Sequence, residues 1–230
     1  MPARTAVSAN RDDVRLRMAS CCDPRGCDRF FTPRCARRVA GRYRRRGLDK
    51  TARRMVGFLE EAGVEGATVL EVGGGVGEIQ IELLKRGAER SVNLELSPAY
   101  EREAERLLGE AGLAGRVQRR LHDIAVETDS VEPADVVVLH RVVCCYPDYE
   151  RLLGAAAALA RRLLVISYPR RNAVSRLFVA AQNVGLRIRR REFRTFAHPP
   201  SAMLAVLRDR GLDATFAHSG IAWQVTGLAR

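Results

Sequence analysis

A chain of 230 residues that is 47% hydrophobic and 29% charged, with only 9 prolines, has the composition of one folded globule and excludes a low-complexity or disordered polymer. Its net charge of +12 is unevenly placed: residues 1–66 carry +8, 67–160 carry −6, 161–194 carry +9 and 195–230 carry +1. An anionic partner is therefore expected at the two flanking basic segments and not across the whole surface.

From Met1 to Ala19 the sequence is rich in Arg and Asp without a continuous apolar core, and the small-residue run Gly154 to Ala160 ends at Arg161. Neither a standard secretory signal nor a spanning helix is expected, and the chain reads as cytoplasmic. Six cysteines fall in two clusters, Cys21, Cys22, Cys27 and Cys35, then Cys144 and Cys145. A chain of this size builds its own core, so thiols are expected rather than a disulfide scaffold. The first cluster has enough sulfurs for a metal but lacks the C-x-x-C spacing of common zinc sites, and no metal is predicted. Asp49 can then cap a helix whose Ala52, Met55, Val56 and Leu59 share one face, stopped by Gly63 and Gly66.

From Ala67 the texture becomes strand, turn and helix in repetition. Strands are predicted at Thr68 to Val72, Ser91 to Leu96, Arg116 to Leu121, Asp135 to His140 and Leu163 to Ser167, with helices between them. Near-continuous Val, Leu and Ile runs separated by amphipathic helices require a parallel sheet covered on both faces, a Rossmann-like doubly wound α/β fold. An insertion at 169–200 holds Leu177, Phe178, Ala181, Val184 and Ile188 beside Arg187, Arg189, Arg190, Arg191 and Arg194. It is expected to be an outer helix with its apolar face packed on the body, with peripheral membrane contact as the alternative. A helix near Ser201 to Arg210 follows. A terminal antiparallel hairpin turning at His218-Ser219-Gly220 completes a seven-stranded sheet.

The stretch Glu71-Val72-Gly73-Gly74-Gly75-Val76-Gly77 ends the first of these strands. Consecutive glycines let the backbone turn sharply and approach a ligand, and the following helix offers free N–H groups. The dinucleotide spacing G-x-G-x-x-G fails because its last position is Glu78, and no P-loop ending is present. An acidic residue two places before the first glycine favours a ligand with a cationic group.

On these residues the chain resembles the class I S-adenosylmethionine-dependent methyltransferases, over residues 67–168 and, in outline, Gly211-Leu212 and the terminal hairpin. The resemblance implies S-adenosyl-L-methionine as cofactor. It implies Glu71 near the methionine amino group, with Gly73, Gly75 and Gly77 under the donor. Glu95, followed by Leu96, would take the ribose hydroxyls, 22 residues after Gly73 as one helix and one strand require. Asp123 and Ile124 would hold the adenine.

The predicted fourth strand ends in Leu139-His140-Arg141-Val142-Val143-Cys144-Cys145-Tyr146-Pro147-Asp148, where the reacting centre of such a sheet lies. His140 is the candidate base, with a hydrogen-bonding residue that shapes the pocket as its alternative. Tyr146 is expected to line the substrate side or to pack as core, Asp148 to cap the next helix, and Cys144-Cys145 to be small buried side chains. Phe178 and Phe193 are expected to grip the apolar body of the substrate. The Asn/Asp-Pro-Pro-aromatic motif of base-flipping relatives does not follow this strand. The expectation is thus a methyltransferase of a small anionic molecule, favoured at oxygen and of tetrapyrrole or quinone-precursor type. Residues 1–66 form a basic helical cover and 67–230 the donor-binding domain. The competing reading is a nucleic-acid-binding protein or RNA methyltransferase that uses the Arg-rich flanks.

Overall fold

In the computed structural model, which describes residues 30–191 and 193–230, the sheet is built outward from two inner strands. β1 (Thr68–Val72) and β4 (Ala134–His140) lie side by side in parallel, with β2 (Arg90–Glu95) and β3 (Val117–Leu121) beyond β1 and β5 (Ala160–Pro169) beyond β4. β6 (Asp213–Ser219) and β7 (Trp223–Ala229) form an antiparallel hairpin on β5, giving the order β3-β2-β1-β4-β5-β7-β6. The unbroken apolar runs have a direct cause. Val136 and Val138 enter one core with Val69, Leu163 and Val165, while Val137 and Leu139 enter the other with Leu70, Leu164 and Ile166. Period-2 alternation sends every residue to a buried face.

Helices α1 (Pro33–Arg46) and α2 (Lys50–Glu61) precede the sheet. α3 (Glu78–Lys85), α4 (Glu101–Ala111) and α5 (Tyr149–Leu159) are its crossovers. α6 (Ala173–Ile188) and α7 (Pro200–Arg208) lie between β5 and β6. Asp49 caps α2 by accepting the Thr51 and Ala52 N–H groups at 2.9 Å, and Asp148 caps α5 by accepting Arg151 N–H at 3.0 Å. Both caps stand where the sequence places them. Ala36 and Ala40 of α1 and Met55, Val56 and Leu59 of α2 share the core of β1 and β4, so α1 and α2 pack against this face of the sheet.

Two expectations change. The hairpin turns at Gly220 to Ala222, because His218 and Ser219 still pair with Val225 and Gln224 in the ladder. The apolar face of α6 does not pack on the body: Leu177, Phe178, Val184 and Ile188 are 72, 67, 58 and 76% exposed. The rotation of α6 is set instead by Asn183, whose amide donates to Thr195 O at 2.8 Å and accepts Thr195 N–H at 2.9 Å, and by buried Leu186.

The contact between α2 and β7 depends on a missing side chain. A Cβ on Gly227 would lie 2.5 Å from the ring of Phe58, which stacks on Phe216. Gly227→Ala is expected to destabilise the fold by about 1–3 kcal/mol, read as a lowered Tm. Combining it with Phe58→Leu should recover part of the loss.

Candidate functional site

The turn after β1 uses Gly73, Gly75 and Gly77 in the left-handed region, at φ 63, 56 and 80°. At Gly73 glycine is required twice over, since a Cβ would also lie 2.6 Å from Val142. The turn, the ends of β2 and β4, and α1 enclose a cavity of about 300 Å³ at the C-terminal edge of the sheet, at the switch point between β1 and β4.

Glu95 forms part of the cavity wall and is fixed by three backbone donors. Oε1 accepts from Leu96 N–H at 2.9 Å and Ser97 N–H at 3.2 Å, and Oε2 accepts from Gly75 N–H at 2.8 Å. A carboxylate has about four acceptor sites, so capacity remains for a ligand hydroxyl. Burial raises its pKa above the ordinary carboxylate value. Leu96, Asp123 and Ile124 also line the cavity. Asp123 accepts the Ala125 N–H at 3.0 Å and the Tyr146 hydroxyl at 3.0 and 3.2 Å. Tyr146 thus sits against Asp123, at the end assigned to the adenine.

Glu71, expected to hold the methionine amino group directly or through water, is buried at the foot of the turn. It is 2% exposed and lies beneath the turn, accepting from Gln80 N–H and Asn93 Nδ2, each at 3.3 Å, while a Cβ on Gly74 would collide with its carboxyl. Burial first, then the charge of Glu78, pushes its pKa up to about 8. The acidic residue in the cavity wall on this side is Glu78, at the first turn of α3, with Arg42 at 3.8 Å.

His140 ends β4 in the cavity wall. Burial first, then the guanidinium of Arg141, pushes its pKa down to about 3, so the imidazole is neutral at physiological pH. Its Nδ1 is 3.0 Å from Ser167 Oγ and 3.2 Å from Met55 Sδ. Ser167 is fully buried and its oxygen already accepts the Arg141 N–H at 2.9 Å. Sending the hydroxyl proton to Nδ1 satisfies both groups and leaves Nε2–H as the donor of the ring. Arg141 has φ 60°, uncommon for a side chain that is not glycine. Its guanidinium lies over the Trp223 ring at 4.7 Å and donates to Asp49 Oδ2 at 2.7 Å. Against the upward pull of burial, the Ala52 N–H and Arg141 hold the Asp49 pKa below its ordinary value. Arg42, 3.9 Å from Asp49, and Arg141 both line the cavity, and the Nε of each is buried without a hydrogen-bond partner among the described residues. Two guanidiniums with unspent donors beside a cavity suit an anionic ligand group.

Other expected residues lie elsewhere. Phe178 stands exposed on α6 and does not reach the cavity, for the reason given by Asn183. Phe193 is fully buried and stacked on Phe30 at 4.1 Å, so it supports Phe31 of the cavity wall rather than a substrate. Cys144 is buried and Cys145 lines the cavity, their sulfurs 3.7 Å apart. Cys35 lies 3.9 Å from the Tyr100 hydroxyl, and Cys21, Cys22 and Cys27 lie outside the described residues. Among the described residues no three His, Cys, Asp or Glu side chains converge as metal ligands. Glu78, Ser167 and the inward roles of Arg42 and Arg141 escaped the sequence reading. The one local signal was the placement of Arg141 directly after His140.

A family profile described as a methyltransferase domain matches residues 41–220. A comparison with curated protein sequences finds no match. Among solved structures, the chain is similar to magnesium protoporphyrin IX methyltransferase (ChlM) from Synechocystis PCC 6803 with bound SAH, at TM-score 0.65 and 22% identity over 85% of each chain. It is similar to an O-methyltransferase family protein from Burkholderia thailandensis at TM-score 0.65 and 21% identity, over 86% of this chain and 60% of that one. An O-methyltransferase family 2 protein from Planctomyces limnophilus DSM 3776, in complex with apigenin, matches at TM-score 0.58 and 17% identity, over 80% of this chain and 62% of that one. At these identities the likeness is one of fold.

Proposed function

We propose, from the premise that the chain belongs to the methyltransferase-domain family and is a class I S-adenosylmethionine-dependent methyltransferase, that its acceptor is a carboxylate of a small anionic molecule. The observation that carries this reading is the cavity-lining guanidinium of Arg141 beside a histidine whose pKa lies near 3. A hydroxyl acceptor loses a proton during methyl transfer and profits from a base of near-neutral pKa. A carboxylate is already ionised at pH 7 and needs only orientation.

The residues present fit the donor. Glu95 would hold the ribose hydroxyls and Asp123 with Ile124 the adenine, while Glu78 and the glycine turn would face the ammonium and Arg42 the carboxylate of the methionyl part. When bound, S-adenosylmethionine supplies an electrophilic methyl group on a sulfonium. Arg141 would bind the acceptor carboxylate, and His140 Nε2–H would donate to one of its oxygens and aim the other. Phe31 and Val142, both in the cavity wall, would exclude water from the line of transfer. A tetrapyrrole-like body for the acceptor draws its support from the likeness to the Synechocystis enzyme.

The protein, incubated with methyl-labelled donor and a small-molecule extract, is expected to yield a labelled product that releases methanol in alkali, as an ester does and an ether does not. At saturating donor, kcat/KM for the acceptor should stay level from about pH 6 to 8.5, because neither the acceptor nor His140 titrates there. Arg141→Ala should raise KM for the acceptor about tenfold or more while SAH affinity holds. An alkali-stable product, or a rate that climbs tenfold per pH unit, would sink the carboxylate reading.

A further inference from the structure

The outward turn of α6 creates a surface that the cavity does not use. Leu177, Ala181, Val184 and Ile188 recur at i, i+4, i+7 and i+11, and so form one stripe along the helix, widened by Phe178. Ile221, 97% exposed, stands on the hairpin turn whose Ala222 carbonyl accepts the Arg170 N–H at 2.9 Å, three residues before α6 begins. The same region is strongly basic. From 151 to 191 the sequence has no Asp or Glu, and Arg170, Arg171, Arg176, Arg187, Arg189, Arg190 and Arg191 are exposed on α6 or at its ends.

We propose that α6 docks the protein on an anionic lipid bilayer. Its apolar stripe enters the boundary between headgroups and acyl chains, and its arginines meet the lipid phosphates. An amphipathic helix with an aliphatic and aromatic face beside arginines has the composition of an interfacial helix. Sixteen residues are too few to span a bilayer, and among the described residues no helix is long and apolar enough to do so. Charge argues against the other occupants. Residues 1–29 carry six Arg and four Asp, the same sign as the helix, and a second copy would bring another such basic face. Nucleic acid would match the arginines and leave the aliphatic stripe in water. The docking face stands apart from the acceptor reading, since the exposed residues of α6 are not in the cavity wall.

The test is co-sedimentation of the full chain with phosphatidylcholine vesicles, with and without phosphatidylglycerol. Binding is expected only with phosphatidylglycerol and should weaken with salt. Leu177→Asn with Ile188→Asn, and separately Arg176→Gln with Arg187→Gln, should each weaken it roughly tenfold or more. Stabilisation by SAH in a melting curve should be unchanged in both variants, which shows that they fold. Failure to bind the anionic vesicles, or binding that the Leu177 and Ile188 exchanges leave intact, overturns the proposal. A dimer lost in the Leu177 and Ile188 variant without vesicle binding would assign the face to a second copy. Retention on transfer RNA without vesicle binding would assign it to nucleic acid.

Discussion

Exchange of Glu95 for Gln is expected to weaken SAH binding by about a hundredfold or more, measured by calorimetry. The magnitude follows from how the carboxylate is held. Leu96 and Ser97 donate to Oε1 and Gly75 donates to Oε2, so every orientation of a glutamine places its NH₂ against a backbone N–H. With the NH₂ toward Gly75, the glycine turn keeps the Gly73 N–H bond to Leu94 O but loses its second tie to the end of β2. With it toward Leu96 and Ser97, the turn after β2 is pushed from the cavity wall. In either orientation the remaining acceptor for a ribose hydroxyl loses its charge, and a charge-assisted hydrogen bond contributes about 1.5–3 kcal/mol. Glu95→Asp keeps the charge and should recover part of the affinity. Gly75→Val is a second approach to the same wall: the φ of 56° is costly for a β-branched residue, and donor binding should fall while the basic surface is untouched. SAH affinity within about threefold of the unmodified protein in the Glu95→Gln variant would remove Glu95 from the donor site.

The parts of this molecule that were legible in its sequence are those decided by neighbours along the chain. Val136 to Leu139 and Leu163 to Ile166 are apolar without interruption because each strand feeds two cores, and that pattern marks both as strands of a sheet covered on both faces. Glu95 follows from the length of one helix and one strand. The charged wall of the cavity was not legible, because it is made between remote segments: Arg141 and Asp49 meet from 92 positions apart, with Arg42 of α1 beside them. The left-handed backbone of Arg141 carries no glycine to announce it and rests on the hydroxyl of Ser167, from a neighbouring strand. Glu71 stands at the expected position of the motif, yet Asn93 and the N-terminus of α3 draw its carboxylate under the turn. The outward direction of the α6 face is not legible in composition, which gives the stripe alone; the asparagine contact with Thr195, remote in sequence from the stripe's start, fixes the opposite side of the helix.

That placement of Glu71 leads to the largest pH effect expected of this fold. Its pKa stands near 8 in the folded protein, above its ordinary unfolded value of 4.5, so the folded state keeps a proton that the unfolded state gives up. The stability Glu71 contributes is complete below about pH 4.5 and is lost as pH rises to about 8, where the folded state must also carry the charge. Across that window the loss is on the order of 5 kcal/mol. Burial also raises the pKa values of Glu78 and Glu95, which adds loss in the same direction. His140 works oppositely: its pKa falls from 6.5 to about 3, so its contribution is complete above about pH 6.5 and is lost as pH falls toward 3. Glu71→Gln keeps an acceptor for Gln80 N–H and Asn93 Nδ2 without the titration. Its Tm should match that of the unmodified protein near pH 5 and exceed it by several degrees at pH 8.5. A cationic donor reverses part of the penalty by lowering these pKa values, so SAM should bind more tightly as pH rises from 6 to 8.5 and release protons as it does. If the two proteins melt with the same pH dependence, Glu71 is ionised throughout, and the carboxylate under the glycine turn is paired more strongly than its two 3.3 Å hydrogen bonds provide.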